Sequence, residues 1–103
     1  MGNFLFLYHG GSQPTSPEEG QKVMEAWTNW FGSLGDAVVD PGNPSSTTKT
    51  VDASGAVSDA SSAVNGYSVV KADSLDAAVA IAQGSPQRDA GGSIEVVQVD
   101  AIM

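Results

Sequence analysis

The chain has 103 residues, enough for one domain and too few for two, and its 41% hydrophobic content allows that domain a core. Twelve Asp and Glu against four Lys and Arg give a formal charge of −8, and Lys22, Lys49, Lys71 and Arg88 lie far apart in sequence. The clustered cations that nucleic acid or an anionic membrane would need are therefore absent. With no cysteine, disulfides and thiolate metal sites are excluded, and no segment approaches the roughly 20 apolar residues that span a bilayer.

The first element is the run Phe4-Leu5-Phe6-Leu7-Tyr8, which leads into the only histidine, His9, and is broken by Gly10-Gly11. A short, aromatic-rich apolar run ended by glycine predicts a β-strand buried on both faces. It lacks a preceding basic region and is too short for a secretory leader, so the expected location is the cytoplasm. Ser16 then serves as an N-cap, Pro17 as the first helical residue and Glu19 as the partner in a capping box. The helix that follows carries Val23, Met24, Trp27, Trp30, Phe31 and Leu34 as one apolar stripe, and Gly35 closes it.

Asp36 to Asp40 predicts a short strand, stopped by Pro41-Gly42-Asn43-Pro44. Thr48 to Val51 and Ala56 to Asp59 read as the arms of a hairpin around Asp52-Ala53-Ser54-Gly55. Residues 60–65 read as a loop, and Gly66 to Lys71 as a strand. Ser74 caps a second helix whose stripe is Leu75, Ala78, Val79 and Ala82, with Gly84 and Pro86 ending it. Gln87 to Gly92 reads as a loop, and Ser93 to Val99 as the last strand.

This order fits a single α+β domain over residues 1–103: a ferredoxin-like antiparallel sheet with two helices on one face. Strand alternation sends Phe4, Phe6 and Tyr8 to one side and Leu5, Leu7 and His9 to the other. Both sides are apolar, and two helices cover only one. The expected cover for the second is another copy of the chain, a homodimer joined through the sheet face.

The strand Phe4-Leu5-Phe6-Leu7-Tyr8, the helix start Ser16-Pro17-Glu18-Glu19 with Trp27 beyond it, Gly66-Tyr67, Ser74-Leu75-Asp76-Ala77-Ala78 and Gly91-Gly92-Ser93-Ile94-Glu95-Val96 stand in a set order. In that order and spacing the chain resembles the YCII-related proteins, particularly the branch with an Asp-Gly-Pro-Phe motif. The resemblance spans almost the whole chain and implies a dimeric α/β barrel built from two ferredoxin-like units. At the motif, Asp59 is kept, but Ala60-Ser61-Ser62 stand where Gly-Pro-Phe would be. Some members look like small enzymes using a His-Asp pair whose histidine lies early in the first helix. Here that segment reads Pro17-Glu18-Glu19-Gly20, so the pair does not carry over.

His9 is the one side chain with an ordinary pKa near neutrality, and its place before two glycines suits a proton carrier at a cleft mouth. Asp40 and Asp59, at strand ends, are the candidate carboxylates to orient it or act as a base; local turn bonding is the competing explanation for both. Tyr8, Trp27, Trp30 and Tyr67 are candidates to line an apolar ligand pocket between helix and sheet, with core packing the alternative role of the tryptophans. No metal site, cofactor, phosphate loop or nucleophile elbow is expected. Two functions are compatible with these residues. One is a homodimer that binds a small organic ligand or serves as an accessory protein. The other is a cofactor-independent lyase or isomerase with His9 as its acid/base.

Overall fold

The computed structural model describes residues 2–59 and 64–100. Strand β1 (Gly2–Gly10) leads into helix α1 (Pro17–Leu34), followed by a 3-10 turn at Gly35–Ala37 and strand β2 (Val38–Asp40). Strands β3 (Lys49–Val51) and β4 (Val57–Asp59) come next, then β5 (Val64–Ala72), helices α2 (Leu75–Gln83) and α3 (Pro86–Asp89), and β6 (Gly92–Val99).

The four long-range strands form one antiparallel sheet in the order β2-β5-β1-β6, the ferredoxin-like arrangement, with β1 central. Strands β3 and β4 make a separate two-stranded hairpin. The fold is thus α+β, as expected. Among the described residues there are three α-helices instead of two, and those of the single chain do not close a barrel.

Both predicted helix starts are found. The hydroxyl of Ser16 accepts from the Glu19 N–H, and that of Ser74 from the Ala77 N–H. Gly35, at φ 55°, closes α1 by donating its N–H to the Phe31 carbonyl, and the chain then turns once more before β2, which delays that strand to Val38. The segment expected to be a loop after Pro86 instead opens with helix α3. Ser85 caps the Gln87 N–H and Pro86 takes the first helical position, repeating the Ser16-Pro17 chemistry. The predicted loop at residues 60–65 falls mostly outside the described residues; within it, β5 already begins at Val64.

The core lies between the helices and one face of the sheet. Phe4, Phe6, Tyr8, Trp30, Val70, Ala72, Ala78 and Ala82 are buried together there. Each large apolar side chain taken fully out of water contributes about 1.5–3 kcal/mol, so Phe6 and Val70, with no exposed surface, are principal anchors. The aromatic face of β1 is therefore the covered one.

The face that remains open carries Leu5, Leu7 and His9. Register places Val69 and Val97 beside Leu5, and Tyr67 and Glu95 beside Leu7. Val97 and Val99 are exposed on the same side. The molecule is only 18 Å across its thinnest axis, the depth of one sheet and one helix layer.

Candidate functional site

A groove of about 770 Å³ opens on the helix side of the sheet, between the end of β1, helix α1, the loop after β2 and helix α3. The volume falls within the range of small-molecule sites. Tyr8 and Ser68 lie at its floor, Trp27 and Phe31 in the α1 wall, and Gln87 in the α3 wall.

The floor is polar and fully directed. The Tyr8 hydroxyl donates to Ser68 Oγ at 2.8 Å, and the Ser68 hydroxyl donates to the Pro41 carbonyl at 2.7 Å. Because a carbonyl only accepts, Ser68 must give its single proton to Pro41, and Tyr8 must give its own to Ser68. Burial pushes the Tyr8 phenol up to about 12, against a smaller opposing effect of its bond to Ser68. The ring of Tyr8 meets Trp27 edge to face with centroids 5.0 Å apart, and Trp27 contacts Phe31 at 5.7 Å.

Two glycine-dependent contacts fix the groove's walls. Gly42, at φ 75°, lets the loop after β2 lie so close to β5 that a methyl group there would collide with the Tyr67 carbonyl. Across the groove, Gln87 is buried and its side-chain amide donates to the carbonyls of His9 at 2.9 Å and Gly10 at 3.1 Å. A side chain on Gly92 would strike that amide and the His9 carbonyl, so Gly92 makes room for the clamp. The end of β1 is held further by Asn65, which donates to the Gly10 carbonyl, and by Ser12, whose N–H reaches the Ala90 carbonyl at 2.8 Å.

Of the expected pocket residues, Tyr8 and Trp27 line the groove. Trp30 instead sinks into the core, stacked near Phe6 with centroids 6.4 Å apart. Tyr67 borders the groove, but its register with Leu7 turns its side chain to the open face of the sheet.

The three candidate catalytic residues each engage a different partner. His9 lies on the open sheet face, where its Nε2 stands 2.5 Å from Glu95 Oε1, a close contact without hydrogen-bond alignment. Asp40 caps its own turn by accepting from the Gly42 N–H at 2.9 Å. Asp59 pairs with Lys49 across the β3–β4 hairpin at 2.5 Å, both side chains being largely exposed. The carboxylate brought to His9 is thus Glu95, two strand positions beyond its register partner Ser93.

Ser68, Gln87 and Glu95 are not among the residues that the sequence marks as a site. Ser68 did leave a trace, since it occupies an inward position between Gly66 and Val70 where an apolar residue is the norm. Among the described residues no group of three or more His, Cys, Asp or Glu side chains is arranged to hold a metal. No helix among them is long and apolar enough to cross a membrane.

Comparison with curated proteins returned no match. The sequence model of the YCII-related domain matches residues 4–102, nearly the whole chain, which thereby belongs to that family.

Proposed function

We propose that this YCII-related protein binds a small organic ligand in the groove between α1, α3 and the sheet, as a binding or accessory protein. The carrying observation is the separation of chemistry from cavity: the only histidine lies on the opposite face of the sheet from the groove. Aromatic walls and a few fixed polar groups suit recognition, whereas the groove's ionisable side chains are carboxylates, an ammonium and a phenol held neutral by burial.

The same reading includes a homodimer through the open sheet face and a place in the Asp-Gly-Pro-Phe-motif branch with its dimeric barrel. Exposed Val97 and Val99, beside half-buried Leu5, Leu7 and Val69 on the face that no helix covers, support the dimer. A lyase or isomerase using His9 is the second reading, favoured by the His9–Glu95 contact. In that version Glu95, rather than Asp40 or Asp59, is the orienting carboxylate.

Trp27, in the groove wall, makes its intrinsic fluorescence the natural probe. Saturable fluorescence changes on titrating small aromatic fragments, with amide NMR shifts centred on Tyr8, Trp27 and Gln87, are the expected result. Turnover of a small molecule that disappears in His9→Ala would instead establish the enzymatic reading.

A further inference from the structure

Three independent features of the groove agree on the charge and bonding character of what it takes. The first is the direction of its protons. Tyr8 donates to Ser68, Ser68 to the Pro41 carbonyl, and Gln87 donates through its side-chain nitrogen to both the His9 and Gly10 carbonyls. The buried side chains of the groove therefore have their donor protons engaged within the protein. What they retain is acceptor capacity, on the Tyr8 phenolic oxygen and Gln87 Oε1.

The second feature is the pair of partly exposed rings, Trp27 and Phe31, which stand on one wall beside Tyr8. Aromatic faces attract cations, tryptophan most strongly. The third is charge. Glu19 and Asp89 border the groove against the single ammonium of Lys22. The Glu19 carboxyl is held below its ordinary range by the Thr15 N–H and then the Thr15 hydroxyl, so it stays ionised. The chain as a whole carries −8.

We infer that the ligand of this groove is an organic ammonium ion, an apolar body bearing a cationic N–H group, held by the aromatic wall and the acceptor-only floor. This rests on the ligand-binding reading above. A carboxylate or phosphate would find the donors of Tyr8, Ser68 and Gln87 already engaged, and only the exposed ammonium of Lys22 set against two carboxylates at the rim. An ammonium finds acceptors, ring faces and an excess of negative charge.

The test uses three probes of matched ring and chain length, phenethylamine, 2-phenylethanol and phenylacetate, titrated into the full chain at pH 7 and followed by amide NMR and tryptophan fluorescence. Phenethylamine is expected to saturate, with shifts at Tyr8, Trp27 and Gln87, and to bind at least tenfold more tightly than phenylacetate. Tyr8→Phe keeps the ring and removes the phenolic acceptor, and should weaken the amine about tenfold, the scale of one hydrogen bond to a charged group. Should phenylacetate or phenylethanol bind in the groove as tightly as the amine, the ammonium assignment falls while ligand binding stands. If no probe moves any groove residue, both fall. Amine shifts scattered over surface carboxylates and unchanged in Tyr8→Phe would also overturn the assignment. The three-probe comparison on the unaltered chain decides the matter whether or not the variant folds.

Discussion

Tyr8 and Ser68, sixty positions apart in sequence, form a directed chain in which the phenol donates to the serine and the serine to the Pro41 carbonyl. Direction makes the two residues unequal. Tyr8→Phe removes one donor and leaves Ser68 still bonded to Pro41. Ser68→Ala strands both the Tyr8 hydroxyl and the Pro41 carbonyl. Urea unfolding should show a loss of about 1 kcal/mol for the first and about 2–3 kcal/mol for the second. The reverse order would mean that the chain of donors runs otherwise.

The buried phenol also sets a pH limit at the alkaline end. In the unfolded chain Tyr8 loses its proton near its ordinary value of 10, and in the folded chain only at about 12. The folded state holds the proton more tightly, so this group's contribution to stability is intact below pH 10 and declines as pH rises toward 12. Phenolate absorbance should contain a component titrating near 12 that Tyr8→Phe abolishes. Denaturation midpoints should fall less steeply over that interval in the variant.

Gln87 presents a donor nitrogen to two carbonyls, those of His9 and Gly10. Gln87→Glu places an acceptor where a donor is needed and buries a charge, and should cost about 1–3 kcal/mol, more than Gln87→Leu. Burial and the facing carbonyls raise the new carboxyl's pKa, so the variant's deficit should shrink as pH falls and the protonated acid regains one donor. Thermal melts at pH 7 and pH 4.5 check the sign.

Gly42 combines a left-handed backbone with contact against the Tyr67 carbonyl. Gly42→Ala introduces strain of about 1–3 kcal/mol and pushes the loop off β5, carrying Pro41 away from Ser68. Calorimetry should record the loss in melting temperature. Amide shifts should spread from the loop to Ser68 and Tyr8 rather than stay local.

If the open sheet face is a dimer interface, light scattering at micromolar concentration should give twice the 10.5 kDa chain mass. Leu7→Asp, at the centre of that face and away from the helix core, should return the mass to that of one chain. A monomeric parent protein would remove the proposal.

Local chemistry explains which parts of this architecture could be read from the sequence. Ser16, Pro17 and Glu19, and again Ser74, act within one turn of chain, so the helix starts were readable. Ser85-Pro86 carries the same signal, but a proline just after Gly84 also suits a helix stop, and α3 was hidden by that ambiguity. The choice of covered face was not readable from alternation alone, because both sides of β1 are apolar. It follows from packing, where small Ala78 and Ala82 and the broad Trp30 ring accommodate Phe4, Phe6 and Tyr8. Residue type placed Tyr8, Trp27, Trp30 and Tyr67 in one candidate set, but only packing divides it, with Tyr8 and Trp27 lining the groove, Trp30 in the core and Tyr67 turned to the other face. Ser68, Gln87 and Glu95 carry no such signal, since their roles depend on contacts between elements distant in sequence, 78 positions apart for Gln87 of α3 and His9 of β1.

Strand β1 is a partition one backbone thick. Tyr8 faces the groove and the next residue, His9, faces the bare side of the sheet. Strand β6 pairs with β1 in unbroken register from Asn3 to Gly10, the pairing with β5 shifts register between Tyr8 and His9, and Gln87 and Asn65 fasten the far end. At this point the groove and the bare face of the sheet are separated by a single peptide unit, the one joining Tyr8 to His9.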